Sequence, residues 1–230
     1  VKQSSPVQLA GGKYFDRATA NYAFGVGIVD GTLWTWGYND KGGIGDNSTT
    51  NRSSPTQVPG TTWSTGIVVD PSNNSVVATK TDGTLWAWGE NSTGEIGNNT
   101  TTSYSSPVQV PGTTWNSTVG GIFGGSSVGA VKTDGTMWVW GHNNNGRLGL
   151  NNTIKYSSPV QLPGTTWDAG LRKNSGTQSR AAIKTDGTLW VWGNNDWGQL
   201  GVNSRTDISS PTQVPGTTWS KVSSAGATQA

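Results

Sequence analysis

The feature that most constrains this chain is an eight-residue motif that returns four times. The motif is Asp-Gly-Thr-(Leu/Met)-Trp-x-Trp-Gly, and its copies start 52 residues apart, at Asp30, Asp82, Asp134 and Asp186. A Ser-Ser-Pro landmark repeats with it, and its prolines are Pro6, Pro55, Pro107, Pro159 and Pro211. A fixed period of this length indicates that one structural unit is copied along the chain.

The second copy shows how one unit folds. The Thr-Asp-Gly-Thr segment 81–84 is typical of a hairpin turn, because Asp and Gly tolerate the backbone angles that such turns need. It joins a valine-rich strand at 75–80 to a strand at 85–88. A third strand follows at 107–110, and a Pro-Gly turn leads into another at Trp115. The pattern predicts four antiparallel strands in every 52 residues.

Composition agrees with short strands and excludes several classes of protein. The chain has 34 glycines and 13 tryptophans but only 31% hydrophobic residues, which excludes a helix bundle. Only 12% of residues are charged and the net charge is +2, so a strongly polyanion-binding surface is not indicated. The absence of cysteine excludes disulfides and thiolate chemistry. No apolar run is long enough to cross a membrane as a helix.

Units of four strands with two apolar faces predict an all-β fold, a β-propeller of four-stranded blades; a β-solenoid is the alternative. We expect one propeller domain, or a fragment of one, with four whole blades and a partial blade at each end. The whole blades are predicted at 10–58, 61–110, 113–162 and 165–214, and the partial blades at 1–9 and 215–230. A ring would then be completed by further chain or by other copies.

A second motif follows each tryptophan strand and carries a family resemblance. Trp-Gly-x-Asn-x-x-Gly-x-(Ile/Leu)-Gly occurs four times, at 36–45, 88–97, 140–149 and 192–201. It resembles the regulator of chromosome condensation repeat, and that resemblance implies a propeller, seven-bladed in the family. The chain also departs from the family. The usual Gln before Leu is present only as Gln199, and the family's Gly-x-x-His segment is absent, so the resemblance alone implies neither nucleotide exchange nor photoreception.

Residues that recur in every unit are predicted to serve the fold. Four aspartates, Asp30, Asp82, Asp134 and Asp186, are expected in turns rather than around a metal. Twelve tryptophans follow the period and are expected to pack between blades. They are Trp34, Trp36, Trp63, Trp86, Trp88, Trp115, Trp138, Trp140, Trp167, Trp190, Trp192 and Trp219.

The sequence does not favour catalysis, and it predicts no catalytic residue, no cofactor and no metal site. The single histidine, His142, lies in a loop with no repeated acidic partner. Residues 194–196, Asn-Asn-Asp, resemble part of a calcium loop, but the pattern that ends in a bidentate glutamate is missing.

Residues that break the period are the candidates for partner contacts. Trp197 is the one tryptophan outside the repeat; alternatively it covers a neighbouring loop or the next blade. Residues 116–230 hold nine basic and five acidic side chains, whereas residues 1–115 hold six and eight. Basic residues of the second half are expected in connecting loops, at Arg172, Lys173, Arg180 and Arg205. The predicted partner contacts are Trp197, Arg172, Lys173, Arg205 and His142.

The leading hypothesis is a non-enzymatic structural or interaction module that binds a protein or a glycan. Loops rich in Asn, Thr, Ser and Gly favour a virion, secreted or cell-surface protein, such as a phage fibre or an adhesin, and hence an extracellular, cell-surface or virion location. The alternative is a regulator or inhibitor that binds a soluble enzyme or GTPase. Other copies of the chain are further candidate partners. Nucleic acid is not favoured, because a basic stripe and aromatic stacking motifs are missing.

Overall fold

A computed structural model describes residues 15–20, 24–69, 74–117, 126–168 and 178–220. These residues form fourteen strands and one 3₁₀ turn, Asn144–Gly146. The strands are β1 Arg17–Ala20, β2 Phe24–Val29, β3 Thr32–Gly37, β4 Arg52–Gln57, β5 Trp63–Val69, β6 Val76–Lys80, β7 Leu85–Gly89, β8 Tyr104–Val110, β9 Ser127–Val131, β10 Met137–Gly141, β11 Tyr156–Gln161, β12 Ser179–Ile183, β13 Leu189–Gly193 and β14 Ile208–Val214. The all-β prediction is confirmed.

The strands form four antiparallel sheets, one for each copy of the repeat. The first is β1-β2-β3-β4 and the second β5-β6-β7-β8. The third and fourth hold β9-β10-β11 and β12-β13-β14, and a bridge from Trp115 to Lys132 or from Trp167 to Lys184 stands where Trp63 pairs with Lys80 in the second sheet. The propeller prediction is therefore confirmed; the predicted partial blade at 1–9 lies outside the described residues.

The predicted hairpin turns are present. In the second sheet Lys80 N–H donates to Thr84 O over 2.9 Å, and Gly83 has a φ of 79°. The Asp82 carboxylate accepts bonds from both the N–H and the hydroxyl of Thr84, as expected of a turn residue. The first hairpin is tighter, since Val29 pairs directly with Thr32. β2 therefore runs one residue further toward its turn than β6 does, to Val29, where the other copies have threonine.

The hydrophobic core lies between successive sheets. Apolar side chains of the first and second sheets form one cluster, those of the second and third another, and those of the third and fourth another. Six of the twelve periodic tryptophans are buried in these clusters, namely Trp63, Trp88, Trp115, Trp140, Trp167 and Trp192. Five more are half-buried, and Trp219 is 39% exposed. Packing between blades is thus the role of most of them.

Because successive strands run in opposite directions, the connections between them lie at two opposite ends of the sheets. The hairpins, such as 81–84, and the Pro-Gly-Thr-Thr turns, such as 111–114, lie at one end of the sheets, which we call the hairpin face. Four long connections lie at the other end, which we call the loop face. These connections, the first to fourth loops, are residues 38–51, 90–103, 142–155 and 194–207.

Candidate functional site

Each loop of the loop face is folded around one buried asparagine. In the second loop the Asn91 side-chain oxygen accepts the N–H of Ile96 over 2.8 Å. Its amide group donates to the carbonyls of Thr100 and Thr102. Equivalent bonds surround Asn39, Asn143 and Asn195, and all four side chains are completely buried. One side chain therefore satisfies three backbone groups and fixes the loop.

The sequence analysis missed this asparagine, although its presence in every copy of the second motif is a signal for it. Between the fixed positions of the motif, four positions differ from copy to copy. One of them, occupied by Gly43, Glu95, Arg147 or Gln199, is buried in the first three loops. The side chains at the other three are exposed or half-buried on the loop face in every copy. They are Tyr38, Asp40 and Lys41 in the first loop, Glu90, Ser92 and Thr93 in the second, His142, Asn144 and Asn145 in the third, and Asn194, Asp196 and Trp197 in the fourth.

Charge is distributed unevenly over these loops. The second loop carries Glu90 and Glu95 and no basic residue, whereas the third carries Arg147 and Lys155 and no acidic one. The positive charge contributes to a low pKa at His142. Burial lowers this pKa most, the positive charges of Arg147, Lys155 and Arg180 lower it further, and together they bring it to about 4. His142 is therefore neutral at physiological pH. Its position is fixed by its backbone, which bonds to Ser126 and Ser127.

Trp197 is the most exposed large hydrophobic residue among those described, at 82%. The guanidinium carbon of Arg205 lies 5.9 Å from the centre of its ring, and Arg205 Nε donates to the carbonyl of Asp196 over 2.8 Å. The backbone N–H of Trp197 donates to the side chain of Gln199. The structure thus brings two predicted contacts together on the fourth loop. Two others, Arg172 and Lys173, lie outside the described residues.

Arg180 corrects the sequence analysis, because its predicted place in a connecting loop is wrong. It lies in β12, pairs with Trp192 across the sheet and is 1% exposed. Its guanidinium donates to the hydroxyl of Ser127 in the preceding sheet. The polar residues around it suggested a loop, but Arg180 lies 52 residues after Val128, a strand residue, and that spacing was a sufficient signal.

The hairpin face is built differently, from backbone atoms. Trp115 N–H donates to Gly83 O over 3.0 Å, and Thr133 N–H donates to Thr114 O over 2.8 Å. Both bonds recur at the turns before Trp63 and Trp167, and the first of them at Trp219, so backbone bonds link the hairpins to the turns beside them. Below them, the Lys132 ammonium lies 5.0 Å from the ring centre of Trp115 and 4.5 Å from that of Trp138. Lys80 and Lys184 do the same in their sheets.

No group of three His, Cys, Asp or Glu side chains is placed to hold a metal ion within residues 15–20, 24–69, 74–117, 126–168 and 178–220. Over the same ranges, no helix has the length and hydropathy needed to span a membrane.

Comparison with known proteins agrees with this architecture. The Regulator of chromosome condensation (RCC1) repeat matches residues 30–68, 82–131, 134–167 and 186–228, and the chain belongs to this family of repeat propellers. The resemblance inferred from the two motifs is therefore confirmed.

Similar proteins include two from Arabidopsis thaliana. The ultraviolet-B receptor UVR8 is 27% identical over 79% of this chain and 41% of its own length. The mitochondrial RCC1 domain-containing protein RUG3 is 29% identical over 80% of this chain and 43% of its own. Among solved structures, Prp20p from Saccharomyces cerevisiae superposes with a TM-score of 0.73 at 15% identity, over 94% of this chain and 54% of Prp20p. The chain spans about half the length of these proteins.

Proposed function

We propose that this chain is a protein-binding module that acts without catalysing a reaction, and that its partner docks on the loop face. The observation that carries the proposal is the pattern of variation within the second motif. Its asparagine and its glycines are identical in four copies, while three exposed or half-buried positions in each copy are free to differ. Sites of specific recognition are expected where a rigid frame presents side chains that the fold does not require.

Charge favours a folded protein as the partner. The acidic second loop and the basic third loop are neighbours, so a partner with adjacent patches of both signs matches them. Tyr38 and Ile154 add exposed apolar surface on the first and third loops. Prp20p, whose fold this chain shares, has described binding properties toward Gsp1p and histones. This likeness favours the alternative hypothesis, a regulator that binds a soluble protein, over the hypothesis of a phage fibre or an adhesin.

A glycan partner and an extracellular, cell-surface or virion location stay predictions from the loop composition. A glycan array that remains blank with folded protein would remove the glycan hypothesis.

The test is a quantitative affinity capture with two variants of equal charge change. Lys155→Glu alters the loop face, and the double variant Thr133→Glu/Thr185→Glu adds the same negative charge to exposed positions of the hairpin face. We expect a partner that the native chain and the hairpin-face variant retain and that Lys155→Glu loses. A partner lost only with the hairpin-face variant would contradict the proposal, and so would turnover of a substrate by the purified chain.

A further inference from the structure

One position of the loop face changes from a hydrogen-bond acceptor to a cation between copies of the repeat. We call it the covering position, and its residues are Asn51, Ser103, Lys155 and Asp207. In the first loop the Asn51 side-chain oxygen accepts the backbone N–H of Asn39 over 2.8 Å. In the fourth loop the Asp207 carboxylate accepts the N–H of Asn195, also over 2.8 Å. In both loops a side-chain oxygen therefore covers the backbone of the buried asparagine.

The fourth loop shows how a carboxylate is held at the covering position. Besides the N–H of Asn195, Asp207 accepts a bond from the side chain of Asn194 over 3.3 Å. It also accepts a bond from Asn145 of the third loop over 2.7 Å. Asp207 is nevertheless exposed, as is Asn51 in the first loop. The covering position therefore opens to solvent.

The third loop lacks this oxygen. An ammonium group donates hydrogen bonds and cannot accept them, so Lys155 cannot bond to the N–H of Asn143. Within the part of the chain that the structure describes, that N–H has no acceptor and Lys155 makes no hydrogen bond or ion pair. Asn143 is completely buried, and a buried N–H without an acceptor is costly. Because Lys155 is exposed, its flexible side chain can turn aside and pair with an anion that reaches this N–H.

Charge favours an anion at the third loop rather than at the second. The third loop has Arg147 and Lys155 and no acidic residue. Besides burial, the groups that lower the pKa of His142 are all cations, and they include Arg180 of the fourth sheet. The second loop carries Glu90 and Glu95 instead and would repel an anion.

An exposed apolar side chain lies next to the covering position of the third loop. Ile154 is 62% exposed. The other loops have threonine at its position, namely Thr50, Thr102 and Thr206. The backbone of Ile154 is fixed, because its carbonyl accepts the Asn143 amide group and its N–H donates to the Asn152 side chain. A segment that carries an apolar residue next to an acidic one matches Ile154 and Lys155 together.

The following sheet holds the third loop in place. Trp192 Nε1 donates to the carbonyl of Arg147 over 3.0 Å, and this indole is completely buried. Equivalent indole bonds at the two earlier contacts between sheets join Trp88 to Gly43 O and Trp140 to Glu95 O. A loop that is fixed before binding loses little conformational entropy when a partner docks on it.

We propose that the covering position of the third loop binds a carboxylate of the protein partner, on a segment that places an apolar residue against Ile154. This inference rests on the proposed function, because it names the chemistry of the partner that docks on the loop face. The carboxylate accepts the N–H of Asn143 and pairs with Lys155, just as the Asp207 carboxylate accepts the N–H of Asn195 in the fourth loop.

The experiment is a titration of the isotope-labelled chain with two peptides, followed by heteronuclear magnetic resonance. One peptide is acetyl-Gly-Leu-Glu-Gly-amide, and the other has glutamine in place of glutamate. We expect the glutamate peptide to shift the Asn143 amide signal. It should also bind at least about tenfold more tightly than the glutamine peptide, because the charge strengthens its hydrogen bond. The Asn195 signal should stay unchanged, since that N–H is already bonded to Asp207.

Three variants make the test specific. Lys155→Asp supplies the carboxylate from within the chain, so the Asn143 signal should move downfield without peptide and the preference for the glutamate peptide should disappear. Lys155→Met removes the cation without supplying an oxygen, and should weaken the glutamate peptide about threefold and the glutamine peptide not at all. Ile154→Ser should weaken both peptides equally, since it removes only apolar contact.

The proposal is overturned if the two peptides bind equally or if the Asn143 signal does not respond. It is also overturned if Lys155→Asp keeps the spectrum of a folded chain and still prefers the glutamate peptide. Should Lys155→Asp fail to fold, an unchanged affinity in Lys155→Met has the same meaning.

Affinity capture separates this proposal from the proposed function. A captured partner that Lys155→Glu loses, with peptides that do not bind at Asn143, would keep the loop face as the docking surface and remove the carboxylate. A glutamate peptide that binds at Asn143, with no captured partner that depends on Lys155, would support the carboxylate site and contradict the proposed function.

Discussion

The two faces of this propeller are both exposed, yet one is nearly identical from copy to copy and the other is not. On the hairpin face, Pro-Gly-Thr-Thr and Asp-Gly-Thr are the same in all four copies. On the loop face, four positions of the second motif differ, and three of them are exposed or half-buried in every copy. Exposure therefore does not decide which residues can change. The hairpin face joins its blades through tight backbone geometry, which only certain residues adopt, whereas the loop face is fixed by one buried asparagine and leaves its surface side chains free.

The strongest test of this difference removes the buried asparagine that fixes one loop. Asn143→Ala leaves the N–H of Leu148 and the carbonyls of Asn152 and Ile154 without their partner, and we expect a loss of about 3 kcal/mol in the free energy of unfolding. The neighbouring exposed residue is the control: Asn144→Ala should stay within about 0.5 kcal/mol of the native value. Urea unfolding followed by tryptophan fluorescence measures both. Equal losses in the free energy of unfolding would mean that the buried asparagine and the variable surface position contribute equally to stability.

The second test compares one lysine on each face. Lys132→Met removes a cation that lies over two tryptophan rings, and we expect a loss of about 1 to 2 kcal/mol. Lys155→Met on the loop face should change stability by less than about 0.5 kcal/mol. Thermal unfolding of the two variants gives the comparison. A large loss from Lys155→Met would assign the third loop a structural role.

The faces should also respond to different ranges of pH. Folding lowers the pKa of His142 to about 4, so between pH 6.5 and pH 4 the unfolded chain binds a proton that the folded chain does not, and stability falls as the pH falls. Because His142 is largely solvent-screened, the expected loss is about 1 kcal/mol. His142→Gln should flatten the stability curve in this window. If His142→Gln has the same dependence of stability on pH as the native chain, His142 is not the source of the loss between pH 6.5 and pH 4.

The hairpin face is the internal reference for that measurement. Hydrogen bonds from Thr136 lower the pKa of Asp134. The equivalent bonds from Thr84 and Thr188 lower the pKa of Asp82 and Asp186. The stability that these carboxylates provide is present above pH 3.8 and is lost as the pH falls through their lowered pKa values. The acid limb of the curve below pH 3.8 should therefore remain in His142→Gln and be reduced in Asp134→Ala.

The smallest expected effect concerns backbone strain. Thr114 has a φ of 66°, a conformation that β-branched residues rarely adopt, while Asn99 adopts a φ of 65° on the loop face, where asparagine tolerates it. We expect Thr114→Asn to raise the free energy of unfolding by about 0.5 kcal/mol. The reverse change, Asn99→Thr, should lower it. A destabilised Thr114→Asn would show that the threonine side chain contributes more than its short bond to the Thr113 carbonyl.

Much of the fold could be predicted from the sequence because the period does not depend on any single residue. The turns at Asp82 and Gly83 and the packing of Trp88 follow from local chemistry repeated four times. Arg180 was placed wrongly because a charged residue in polar surroundings favours a loop, and only its alignment with Val128 indicates a strand. The exposure of Trp197 could not be predicted, since the other copies have Lys41, Thr93 and Asn145 at this position and the repeat offers no second tryptophan for comparison.

The bonds between sheets also bear on how such a chain can evolve. Each donor indole and each acceptor carbonyl belongs to every copy of the repeat, so a duplicated copy of 52 residues arrives with both halves of the contact that it must make. A new unit therefore fits between its neighbours before any substitution has occurred. Growth by tandem duplication is compatible with the fold from the first generation, and later divergence can be confined to side chains that the contacts leave free.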